Sequence, residues 1–219
     1  MQAKILAAAL VACLAVPLLI APRPAWAGPQ GKVLVINTDS DTVTLIDARK
    51  PEVVMDIRVG DRPTKLAMNV KQTMAYVINI GSNDLSIIDL RNLTVLDVPL
   101  GFEPVDVAAT PDGKMVLILH KDRSLAPGGK DFEGDYSIYD VKKGELATNY
   151  LYGSGGGADP DACAMAVDAT GKFAWITSCA DDTVVMIELK KALDDNSGDE
   201  VKAILDTQDD PSFVAVTAK

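Results

Sequence analysis

His120 is the only histidine in a chain of 219 residues, and the only thiols are Cys13, Cys163 and Cys179. One imidazole cannot build a multi-histidine zinc or copper centre within a single chain. No Cys-x-x-Cys-His run is present to attach a c-type haem. A Ser-His-Asp arrangement would have its histidine but no Gly-x-Ser-x-Gly elbow to present a nucleophile. Gly153-Ser154-Gly155-Gly156-Gly157 lacks the lysine and following helix of a phosphate loop and reads as a connector. Asp194-Asp195-Asn196-Ser197-Gly198 is rich in oxygen ligands but misses the EF-hand spacing. These residues predict a non-enzymatic protein without a cofactor, and they assign no metal.

Cys163 and Cys179 flank a turn at Thr170-Gly171, so a hairpin there returns Cys179 to within a residue or two of Cys163 in register. A disulfide is expected between them, provided the Cα atoms come within about 7 Å. The oxidising compartment follows from the first 27 residues, which read as a secretory signal: Lys4, an apolar run from Ile5 to Ile20, and an A-x-A site at Ala25-Trp26-Ala27. The run is too short for a membrane span and is interrupted by Pro17. Leu10-Val11-Ala12-Cys13 also has the form of a lipoprotein box, but Leu14 to Ala21 is apolar where a polar tether belongs. Cleavage after Ala27 and a periplasmic or secreted location are expected. It would remove Lys4 and Arg23 but no acid, taking the net charge from −10 to −12. Such a charge argues against nucleic-acid partners and anionic membranes, and it permits cationic partners or ions.

The elements that would position these residues come from internal repetition. Four runs share one pattern: Val33–Asn37, Ala75–Asn79, Val116–His120 and Ala174–Ser178. Each is followed by a second run ending in an acid: Asp47, Asp89, Asp140 and Glu188. An aspartate there can bond backbone N–H groups two residues on and start a turn. A third set aligns Ala67, Ala108, Ala166 and Ala215, with Pro63, Pro104 and Pro211 four residues earlier in three of the four. Outer strands are expected around Val53–Val59, Val95–Leu100, Thr148–Tyr152 and Val201–Leu205, with hairpin turns at Asp112-Gly113 and Thr170-Gly171 and a helical turn over Glu188 to Leu193.

A repeat of about 45 residues with four strands per unit predicts an all-β propeller of four blades over residues 28–219. We label the strands A to D outward from the axis. The C-terminal A strand, Phe213 to Thr217, is expected to complete the first blade and close the ring. The alternative is a homodimer, in which exchange of that strand makes this chain half of an eight-bladed ring.

Ala75-Tyr76-Val77-Ile78-Asn79 with Leu85-Ser86-Ile87-Ile88-Asp89, and Thr110-Pro111-Asp112-Gly113-Lys114, resemble the YVTN-type β-propeller repeat family of bacterial periplasmic and surface proteins. The resemblance implies the fold and says little of function: similar domains occur as surface proteins, as periplasmic binding proteins and within redox enzymes, and the family shares no catalytic set to carry over.

In a four-stranded blade the B–C and D–A loops share one face, and the A–B and C–D turns share the other. The two longest insertions, Lys121 to Gly134 and Gly153 to Ala162, fall on the loop face, together with Asp39, Asp41, Asp61, Asp84, Asp131, Glu133, Asp159, Asp161, Asp181, Asp182, Asp209 and Asp210. The turn face collects Arg49, Lys50, Lys71, Arg91, Lys114, Lys142, Lys143, Lys172, Lys190 and Lys191. Asn37, Asn79, His120 and Ser178 end equivalent strands and are expected to ring the mouth of the central channel beside Asp131, Glu133, Asp159 and Asp161. The expected function is binding or scaffolding, with a cationic protein or ion on the acidic face. The alternative is an accessory subunit of a periplasmic redox system, docking a cytochrome or quinoprotein.

Overall fold

The computed structural model of the chain describes residues 31–120, 136–149, 162–179, 182–194 and 200–217. The expected signal segment and, apart from Ala162, both long loop-face insertions lie outside them.

The described strands form four antiparallel sheets, the four blades predicted from the repeats. Blade one contains β1 (Lys32–Asn37), β2 (Thr42–Asp47) and β3 (Glu52–Arg58). Blade two is β4 (Pro63–Met68), β5 (Met74–Asn79), β6 (Asp84–Asp89) and β7 (Thr94–Pro99). Blade three is β8 (Pro104–Ala109), β9 (Met115–His120), β10 (Tyr136–Asp140) and β11 (Glu145–Asn149). Blade four is β12 (Ala162–Val167), β13 (Phe173–Ser178), β14 (Thr183–Glu188) and β15 (Val201–Asp206), with a short helix α1 (Leu189–Asp194) after β14.

Local chemistry explains the turns. Asp47, Asp89 and Asp140 each accept the backbone N–H two residues on, at 2.8 to 2.9 Å, as the repeated acid predicts. On the same face Gly113 and Gly171 take φ of 71° and 67°, a region glycine enters without steric cost. Gly144, at φ 72°, closes the β10–β11 hairpin tightly, with its N–H on the Asp140 carbonyl at 2.8 Å. That turn starts the outer strand of blade three at Glu145 rather than at the expected Thr148.

The apolar cores lie between blades. Val43, Leu45 and Ile57 of blade one pack with Ala75, Val77 and Ile88 of blade two. Tyr76, Ile78 and Leu85 meet Val116, Ile118 and Tyr139 of blade three. Leu117, Leu119 and Ile138 meet Ala174, Ile176, Val185 and Ile187 of blade four. The B strands of blades two and three therefore bury both faces, and their sequences are continuous apolar runs rather than alternating ones.

Blade one differs from expectation. Among the described residues its sheet has three strands, and residues 211–217 join no sheet, so the predicted closing strand is not formed here. Phe213 is 79% exposed. No described helix is long and apolar enough to cross a membrane.

Candidate functional site

Asn37, Asn79, His120 and Ser178 stand where expected, each the last residue of its blade's B strand. Their side chains do not form an open ring. Asn79, His120 and Ser178 are at most 2% exposed. Asn37, Asn79 and His120 bond strands farther out in their own blades, because a buried polar group needs a partner and the blade supplies one.

The result is a polar ladder across three blades. Asn37 Nδ2 donates to Thr44 Oγ1 at 2.8 Å, and Thr44 donates to Asp56 Oδ1 at 2.6 Å. Asn79 Nδ2 donates to Ser86 Oγ at 2.9 Å, and Ser86 donates to Asp97 Oδ1 at 2.6 Å. His120 Nε2 lies 2.7 Å from Ser137 Oγ, which lies 3.0 Å from Thr148 Oγ1. Thr44, Ser86 and Ser137 each sit three residues before the turn acid of their blade; that constant spacing is the signal by which the sequence shows them. Blade four has Val185 paired with Ile204 at these positions, and its ladder is apolar.

Two ladder members retain an unmatched atom: Asn79 Oδ1 and His120 Nδ1 are buried without a hydrogen-bond partner. Burial lowers the His120 pKa from 6.5 to about 4, so the ring is neutral at pH 7. Phe102 packs against it, ring centroids 5.5 Å apart. Ser137 is fully buried and held between His120 and Thr148, which makes it a bridge across the blade.

Of the loop-face acids, Asp131, Glu133, Asp159, Asp161 and Asp181 lie outside the described residues. Asp41 Oδ1 accepts the Arg62 N–H and Asp182 Oδ1 accepts the Asp210 N–H, both at 2.8 Å. Asp84 accepts from Asn79 Nδ2 at 2.6 Å. Asp39, Asp61, Asp209 and Asp210 are exposed. On the turn face four acids have cationic partners instead: Arg49 on Asp47, Arg91 on Asp89, Lys114 on Asp112 and Lys143 on Asp140, at 2.9 to 3.9 Å, while Asp168 takes Thr170 Oγ1 and the backbone N–H groups of Lys172 and Phe173. Hydrogen bonds from the Arg49 and Arg91 side chains hold the Asp47 and Asp89 pKa values at about 2.

The inner strands carry a further ion pair. Asp106 on β8 takes Lys65 of β4 at 3.2 Å and the Met165 N–H of β12 at 3.0 Å, joining three neighbouring A strands. Cys163, at the bulge that opens β12, is disulfide-bonded to Cys179 just past β13, with Cα atoms 6.0 Å apart. Among the described residues no three His, Cys, Asp or Glu side chains converge as metal ligands would.

No protein-family model matches this chain, and no curated protein does. Solved structures do. The β-propeller domain of Myceliophteria thermophila Cps50 (Swd1) is similar at TM-score 0.60 and 11% identity, over 83% of this chain and 58% of that one. Kuenenia stuttgartiensis hydrazine synthase matches at TM-score 0.43 and 18% identity, over 83% of this chain and 73% of that one. The first likeness supports the propeller fold; at these identities neither carries an activity across.

Proposed function

We propose that this β-propeller is an exported, non-enzymatic scaffold of the YVTN type that docks a cationic protein or ion on its loop face. The observation that carries the reading is a difference in how the two faces treat their acids. On the turn face Asp47, Asp89, Asp112 and Asp140 are neutralised by cations within 4 Å. On the loop face Asp39, Asp41, Asp61, Asp84, Asp182, Asp209 and Asp210 form no ion pair among the described residues. Their field is left to act outward, and such a field draws in positive partners and weakens with salt.

The test is binding of a lysine-rich protein to the purified chain at low and high ionic strength. Affinity is expected to fall at least tenfold between about 20 and 200 mM salt, where the screening length shortens to less than about 8 Å. Salt-independent binding, or none at low salt, sinks the reading.

A further inference from the structure

The four blades fill three interblade contacts and leave two blade faces open. On the B strands of blades two, three and four, Ala75, Val116 and Ala174 are fully buried, and so are Val77, Ile118 and Ile176. The same two positions in blade one are Val33 and Val35, which are 44% and 42% exposed. At the other end of the arc, Trp175 and Met186 of blade four are only part-buried, although their equivalents Tyr76, Leu117, Ile87 and Ile138 are buried. Blade one thus presents the face that elsewhere receives a preceding blade. Blade four presents the face that elsewhere covers a following one. These two surfaces are the two halves of a contact that the chain makes three times over.

The backbone leaves blade four in the direction of that missing contact. Between blades one and two, Arg62 takes φ 53° and gives its N–H to Asp41 Oδ1 at 2.8 Å, and the chain then enters β4 at Pro63. After blade four, Asp210 takes φ 55° and gives its N–H to Asp182 Oδ1 at 2.8 Å, and Pro211 follows. One turn, used twice, delivers residues 211–217 to the place of an inner strand in a next blade. They carry that strand's pattern, with Pro211 aligned to Pro63 and Ala215 to Ala67, yet they join no sheet. Meanwhile, among the described residues, β1 has an unpaired inner edge, the kind of edge that recruits another strand.

We propose that the next blade is blade one of a second copy of this chain. Residues 211–217 of each copy pair with β1 of the other, and two four-bladed arcs close one eight-bladed ring about a two-fold axis. Eight blades fall within the known size range of propellers. Both junctions are identical by symmetry, so no inner edge remains unpaired. Closure within one chain would require blade four to cover Val33 and Val35, and both are open here. The register follows from the other blades. Val214 stands opposite Val35, as Leu66 stands opposite Val77, Val107 opposite Ile118, and Met165 opposite Ile176.

The experiment joins light scattering on the purified protein with a V35C/V214C double variant, oxidised and run on a non-reducing gel beside each single variant. The parent is expected at twice the mass of one chain, and the double variant as a covalent dimer that neither single variant gives. A monomeric parent overturns the proposal. So does a cross-link confined to one chain, or a dimeric parent in which the two introduced thiols fail to join.

Discussion

Asn79 and His120 end the same strand in adjacent blades, and each meets a serine on the next strand outward, Ser86 at 2.9 Å and Ser137 at 2.7 Å. The two differ in what pH can do to them. An amide does not titrate, whereas burial holds the His120 pKa at about 4 against an ordinary 6.5. The unfolded chain therefore takes up the proton first as the pH falls. The stability that neutral His120 contributes is complete above pH 6.5 and is lost progressively down to about pH 4. His120→Asn installs the residue that blade two uses. It is expected to flatten melting temperature across that window, while the parent loses stability on the order of 3 kcal/mol. An unchanged slope in the variant would assign the loss to carboxylates instead.

Ser86 is fully buried, accepts from Asn79 and the Gly60 N–H, and donates to Asp97. Ser86→Val removes the bridge and leaves those groups short of a partner, a loss of about 1–3 kcal/mol. Blade four shows a second solution, with Val185 opposite Ile204. Ser86→Val combined with Asp97→Ile reproduces that pair, and the double variant is expected to recover part of the loss by removing the stranded carboxylate. Denaturant midpoints for the single and double variants measure the coupling; strict additivity would mean that the ladder does not act as a unit.

Repetition carried most of this architecture. Four aligned runs ending in Asn37, Asn79, His120 and Ser178 located the B strands, because each is a nearly continuous apolar run, as the two-sided burial of β5 and β9 requires. Asp47, Asp89 and Asp140 announced their turns through chemistry confined to two or three residues. The direction of the strand-end side chains was not legible. Whether Asn79 faces a channel or its own blade depends on Ser86 and Asp97, and only the pairing register brings those three together. Residues 211–217 failed as a predicted strand for a related reason. Their pattern is right, but a strand exists only with a paired neighbour, and pattern does not say which copy of β1 supplies it.

The link between Cys163 and Cys179 spans a sequence separation of 16 and ties the bulge of β12 to the end of β13. Loop-closure entropy for a ring of this size amounts to about 3 kcal/mol. Cys163→Ser with Cys179→Ser is expected to lower stability by up to that amount, with blade four the first region to exchange its amide protons. Reductant should lower the parent's melting point and leave the double serine variant where it is. Two free thiols in non-reducing mass spectrometry of the protein purified under oxidising conditions would contradict the pairing.

The loop face offers two separable sets of acids. Asp39, Asp61, Asp209 and Asp210 are exposed on short loops, whereas Asp131, Glu133, Asp159 and Asp161 belong to the two long insertions. A cation attracted by the whole face responds to both sets, each amide substitution weakening binding by a similar small factor. A partner seated on the insertions responds to the second set far more strongly, because charge–charge attraction between exposed groups fades over a screening length of about 8–10 Å. We expect the second outcome, since long insertions on a rigid scaffold are where binding residues concentrate. Replacing Asp131, Glu133, Asp159 and Asp161 by their amides should abolish capture of a lysine-rich protein, with the melting temperature nearly unchanged. The four short-loop amides should cost no more than a few-fold. Calorimetric titration at two salt concentrations separates the cases: equal losses would make the face a diffuse field, and no loss in either set would leave it a solvated surface.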